Sequence, residues 1–173
     1  MTKRLAVPLA ALLFAAAACN YEKVHKQATI EEAPRLASTV HMGDVTAAAQ
    51  LAGFYDIEGG SWRWTQKQFA VTLRPPAQAA RRGAVLELHL TVPEPSIAAL
   101  QSVTLAASVG GTALAPETYR KAGAYTYRRD VDGGRISGDA VRIDFQLDKA
   151  IPPGASDLRE LGIVVTSAGL VAK

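Results

Sequence analysis

Cysteine is almost missing from this 173-residue chain, and its one thiol is Cys19. Nothing after it can close an internal disulfide, so the fold must stand on its core. Aromatic residues make up 6% of the chain and include two tryptophans, Trp62 and Trp64. Histidine is limited to His25, His41 and His89, none paired at metal-ligand spacing, so a metal site is not expected. Ser61, Ser108 and Ser137 lie in no nucleophile elbow, and a glycine-rich phosphate loop is missing. Arg81-Arg82 and Arg128-Arg129 are isolated pairs without a basic stripe, which argues against nucleic acid as a partner. Lys3 and Arg4 supply much of the formal charge of +3, and acid and base nearly balance elsewhere. No run approaches the roughly 20 apolar residues of a membrane span. Neither a cofactor nor a catalytic residue is expected.

What is present first is an address. Lys3 and Arg4 precede an uncharged apolar stretch over residues 5–18, and Ala16, Ala17 and Ala18 stand immediately before Cys19. This order of basic start, short apolar core and small residues resembles a bacterial lipoprotein signal. It implies cleavage before Cys19 and lipidation of its thiol. Ala16 stands where a lipobox usually carries Leu, and the same three alanines would also suit an ordinary signal peptidase, leaving a soluble periplasmic protein. Residues 19–43 are polar, carry Pro34 and show no sustained period, so they read as a tether. Asp44 occupies a helix N-cap position, with Gly53 as a C′ residue, which predicts a short helix between them.

From about residue 60 the pattern has period two. Residues 69–74, 86–92, 103–109 and 141–147 each alternate large apolar with polar or small side chains. Strands with one buried and one wet face read this way, and antiparallel sheets show it most cleanly. Pro75-Pro76, Pro93-Glu94-Pro95, Gly110-Gly111, Asp132-Gly133-Gly134 and Pro152-Pro153-Gly154 supply turns between them. With residues 125–131 and 163–171, the expected fold is all-β. It is an antiparallel two-sheet β-sandwich, jelly-roll-like, of seven or eight strands over residues 44–173.

Trp62 and Trp64 lie at i, i+2 and share one face of a strand, with Phe54 and Tyr55 close in sequence. Tyr55, Trp62 and Trp64 are candidate ligand-binding residues, since flat apolar faces with nearby donors suit sugar rings. Core packing is the plainer expectation, because Arg63 points the other way and is costly to bury. That reasoning places the indoles inside and Arg63 in water.

Glu58, Asp157 and Arg159 form a candidate ion-pair cluster. Planar Arg159 would clamp a carboxylate and tie the last strand to the first. Glu58 with Asp157 or Glu160 would instead serve a glycosidase, which requires the two carboxyls about 5–9.5 Å apart. Asp130-Val131-Asp132-Gly133 contains a fragment of a calcium loop without its later ligands, and an Asp-Gly turn explains it more simply.

Residues 53–58 (Gly53-Phe54-Tyr55-Asp56-Ile57-Glu58), 62–65 (Trp62-Arg63-Trp64-Thr65) and 157–162 (Asp157-Leu158-Arg159-Glu160-Leu161-Gly162) carry a further resemblance. They resemble small bacterial envelope β-sandwich lipoproteins of unassigned function, and accessory sandwich modules of bacterial glycosyltransferases. The resemblance implies a jelly-roll-like sandwich and a sugar-related context, with no catalytic residue to carry over. The combined expectation is a non-enzymatic envelope lipoprotein whose sandwich binds or supports, with a glycan or an envelope protein as partner. A carbohydrate-binding module using Tyr55, Trp62 and Trp64 is one alternative, and a glycan hydrolase using Glu58 and Asp157 another.

Two or three acyl chains at about 0.8 kcal/mol per buried CH₂ hold a protein firmly to a bilayer. Asn20, in place of the Asp that retains many lipoproteins at the inner membrane, points to the outer one. Cys19→Ser is therefore expected to move the protein from the membrane fraction to the soluble fraction. Unchanged membrane retention of the variant would rule lipidation out.

Overall fold

The computed structural model describes residues 35–173. The signal reading and Cys19 lie outside the described residues. Nine strands are present among them: β1 (Thr39–His41), β2 (Leu51–Phe54), β3 (Arg63–Leu73), β4 (Ala84–Val92), β5 (Val103–Val109), β6 (Thr112–Tyr119), β7 (Gly123–Val131), β8 (Val141–Leu147) and β9 (Val164–Ala172). Two short helices, α1 (Ala79–Arg82) and α2 (Glu94–Leu100), fill connections. The second begins inside Pro93-Glu94-Pro95, where proline is tolerated because first-turn N–H groups lack helical partners.

Each strand pairing is antiparallel. The two layers of the expected sandwich are one continuous sheet, ordered β6-β5-β8-β3-β9-β4-β7 and folded over at β3. Residues Gln68 to Leu73 of β3 pair with β8, whereas Arg63 and Trp64 pair with β9. At the opposite side β6 and β7 meet through side chains. Tyr127 Oη donates to the Ala115 carbonyl at 2.8 Å. Arg129 lies over the Tyr127 ring, 4.2 Å from its centroid, and pairs with Glu117 at 2.9 Å. The sheet is thus nearly barrel-shaped.

Alternation does the work inside. Leu86, Leu88, Leu90 and Val92 of β4, Val103 and Leu105 of β5, and Ile143, Phe145 and Leu147 of β8 converge on one core. Phe69 stacks on Phe145 at 4.9 Å and meets Phe54 edge-on at 5.3 Å. Aliphatic side chains fill most of the remainder, so the core closes without tryptophan. Burial drives Tyr119 Oη, which lacks a hydrogen-bond partner among the described residues, well above the ordinary phenol range.

Two boundaries differ from the sequence reading. Part of the stretch read as tether is β1, which pairs with β9 and buries Val40. The helix predicted from Asp44 to Gly53 is a single 3₁₀ segment, Val45–Gln50. Asp44 does cap it, its Oδ1 accepting from the Thr46 N–H at 2.8 Å. Gln50 ends it: this buried amide bonds both backbone groups of Ala37 and the Thr72 carbonyl. Gly53 is no helix C′ residue. It sits at φ +72° opposite a bulge of β3, where a Cβ would collide with the Gln68 carbonyl oxygen.

The fold of β3 from one layer to the other needs a close neighbour at the corner. Gly162 supplies it: a Cβ there would lie 2.5 Å from Thr65 Oγ1 and 2.9 Å from the Gln66 carbonyl oxygen. Gly162→Ala is expected to lower stability by about 1–3 kcal/mol, the usual range for overpacking. A urea midpoint equal to that of the parent would show that the corner opens without cost.

Candidate functional site

The turn after β2 carries Tyr55 and Glu58, and the start of β3 carries the tryptophans. Glu58 and Trp62 form an antiparallel bridge that closes this turn, and the Tyr55 N–H donates to the Trp64 carbonyl at 3.0 Å. Residues 157–162 reach the same place from the connection before β9. The structure brings Tyr55, Glu58, Trp62, Trp64, Asp157 and Arg159 into one patch.

Within it Arg159 is the hub. Its Nη1 donates to Glu58 at 2.7 Å, its Nη2 to Asp157 at 2.9 Å, and its Nε to the other Asp157 oxygen at 3.0 Å. The guanidinium carbon lies 5.1 Å from the Tyr55 ring centroid, a cation–π distance. Hydrogen bonds from Arg159 hold the Asp157 carboxyl below the ordinary carboxylate range, and Asp157 and then Glu58 hold the guanidinium proton more firmly. Both carboxylates are bound to one cation, and Glu160 accepts the Lys67 N–H at 2.8 Å. The three acidic side chains therefore hold structure together, in the manner of the clamp.

The indoles reverse the expectation drawn for them. Arg63 is 7% exposed and points inward, while Trp62 and Trp64 lie half-buried on the outer face. Burial of the guanidinium is met by three backbone carbonyls: Nε to Met42 at 3.0 Å, Nη1 to Tyr55 at 3.1 Å and Nη2 to Asp44 at 3.5 Å. A cation is costly inside only while its donors lack acceptors, and here the residues just after β1, at the N-cap of the 3₁₀ segment and just after β2 each aim a carbonyl at it. Sequence alone carried no sign of those carbonyls. The two indoles meet edge to face, centroids 6.4 Å apart and planes at 79°, so they form a notch and not a flat platform. Neither indole N–H bonds to a described residue. Leu158, 85% exposed beside the clamp, is an apolar tip that spacing arguments passed over.

The calcium-loop fragment resolves into other roles: Asp130 pairs with Lys173 at 3.3 Å, and Asp132 precedes a short 3₁₀ turn. No group of metal-binding residues is found among the described residues. His89 contacts Thr126 across the β4–β7 pair at 3.1 Å.

Fold and patch define an all-β sandwich with an outward aromatic notch beside a carboxylate-clamped arginine. No protein-family model matches the chain, and no curated protein matches it. Among solved structures it is similar to a family GH115 4-O-methyl-α-glucuronidase with specificity for decorated arabinogalactans, at 9% identity and a TM-score of 0.41. The likeness covers 80% of this chain, which spans 18% of that enzyme's length.

The two arginines separate experimentally. Arg63→Ala strands the Met42 and Tyr55 carbonyls, the Asp44 carbonyl keeping the Ala47 N–H, and is expected to cost about 2 kcal/mol or more, since each unmet buried acceptor costs about 1–3. Arg159 is 34% exposed, so Arg159→Ala is expected to cost under about 1 kcal/mol through solvent screening. Equal losses in thermal melts of the two variants would contradict this division.

Proposed function

We propose that this protein is a non-enzymatic lipoprotein of the bacterial cell envelope, anchored through Cys19 and facing the periplasm or the exterior from the outer membrane. Its sandwich is a binding module, and carbohydrate is the ligand that its outer patch suits best. The observation behind this reading is the outward turn of Trp62 and Trp64, made possible by the buried Arg63. Indole faces suit the C–H side of a sugar ring, and two free indole N–H groups supply donors for its hydroxyls. The edge-to-face notch fits one ring held against Trp62 or Trp64 with Tyr55 alongside. Arg159 keeps the Tyr55 ring and the Glu58 turn in place before any ligand arrives, which reduces the ordering cost of binding.

A purely supporting role is the second reading, favoured by the clamp that ties the two connections together. Trp64→Ala tells the two apart. A half-buried indole on the outer face contributes about 1–2 kcal/mol to folding, less than the 3–5 of a core aromatic. The variant is expected to melt close to the parent and to lose retention on insoluble polysaccharide. A strongly destabilised variant, or a native-like one whose retention is unchanged, would refute the sugar reading of the notch.

A further inference from the structure

The notch does not stand alone on its strand. Successive even-numbered residues of β3 share a side, and Trp64, Gln66 and Gln68 follow one another on the outer face, while Arg63, Thr65 and the run Phe69, Ala70 and Val71 are buried. At about 3.3 Å per residue, the path along β3 from Trp64 round the corner to Gln68 is about 13 Å. The far half of this row opens into a groove of about 600 Å³ on the outside of the layer built from β2, β3, β8 and β5. That volume lies within the roughly 300–1,000 Å³ of small-ligand sites.

The lining has a definite chemistry. Ala52 and Ala106 make a shallow apolar floor over the buried Ala70, and Gln66, Gln68 and Gln146 make the sides. None of the three amides bonds through its side chain to another described residue, so each has an acceptor and two donors to offer. The charged groups in the lining are Arg142 and Asp144, which pair at 2.7 Å and cancel. An anionic or cationic polymer gains nothing from such a lining. A chain of hydroxyls over C–H faces meets both the amides and the floor.

We infer that notch and groove form one strip, and that it takes a linear, uncharged oligosaccharide several residues long. The inference rests on the sugar reading of the notch and extends it from a single ring to a chain. The indoles hold one ring at the β2–β3 turn, and the amides bond the hydroxyls of the rings that follow along β3. Gly53 serves the junction, because without a side chain it lets β2 lie directly against the bulge of β3 at Gln68, one of the groove's amides.

The test is calorimetric titration of the full chain in detergent. The probes are cello-, malto- and β-1,4-linked N-acetylglucosamine oligomers of one to six units. One series is expected to gain roughly tenfold or more in affinity from monomer to hexamer, equivalent to about 1.4 kcal/mol. The gain should vanish in the double variant Gln68→Ala, Gln146→Ala and in Ala106→Trp, which fills the exposed floor, while monomer binding stays. Binding that is lost in Trp64→Ala yet shows no gain with length, or a gain that survives both groove variants, overturns the strip and leaves the notch. Absence of binding across all three series overturns strip and notch together.

Discussion

The passage of β3 from one layer to the other is the constraint on which the rest depends. A strand that changes partners leaves backbone groups at the corner without a ladder, and buried groups of that kind are costly. Here the connection before β9 supplies what is missing. The Thr65 N–H donates to the Ile163 carbonyl and the Thr65 carbonyl accepts from Gly162, while Thr65 Oγ1 accepts from Ile163 and Glu160 takes the Lys67 N–H. Gly162 is the residue that allows this approach, since a side chain there would meet Thr65 and the β3 backbone.

That corner also explains why two distant motifs work as one. Residues 157–162 place Asp157 and Arg159 against Glu58 at one end and Gly162 against Thr65 at the other. Arg159 thereby crosses from one connection to the next and lies over Tyr55. The same geometry turns the first residues of β3 so that Arg63 faces inward. Once Arg63 is inside, alternation sends Trp62 and Trp64 out, and with them the candidate binding face. A choice about one cation therefore decides where the largest aromatic surfaces lie.

Much of the sheet was legible from pattern. β4, β5, β7 and β8 bury alternate side chains, and period two has a direct physical cause. The strands that pattern missed are those whose burial is partial or borrowed. β6 is largely exposed and contains Pro116, as an edge strand can. β1 is three residues long, and β2 holds a glycine opposite a bulge of β3, after a run of alanines that favours helix. In the last case the buried amide of Gln50 outweighs local propensity, because it satisfies backbone groups of two other segments.

Sequence by itself determined the all-β class, most strand positions and the residues worth attention. These depend on alternation, turn chemistry and spacing, which are local. The grouping of Glu58, Asp157 and Arg159 was reasonable from charge and position, because few partners suit a planar cation. Which side of β3 is wet was decided by tertiary structure alone. Desolvation made Arg63 look costly to bury, and that cost is removed by carbonyls from residues 42, 44 and 55, which only the folded chain brings together.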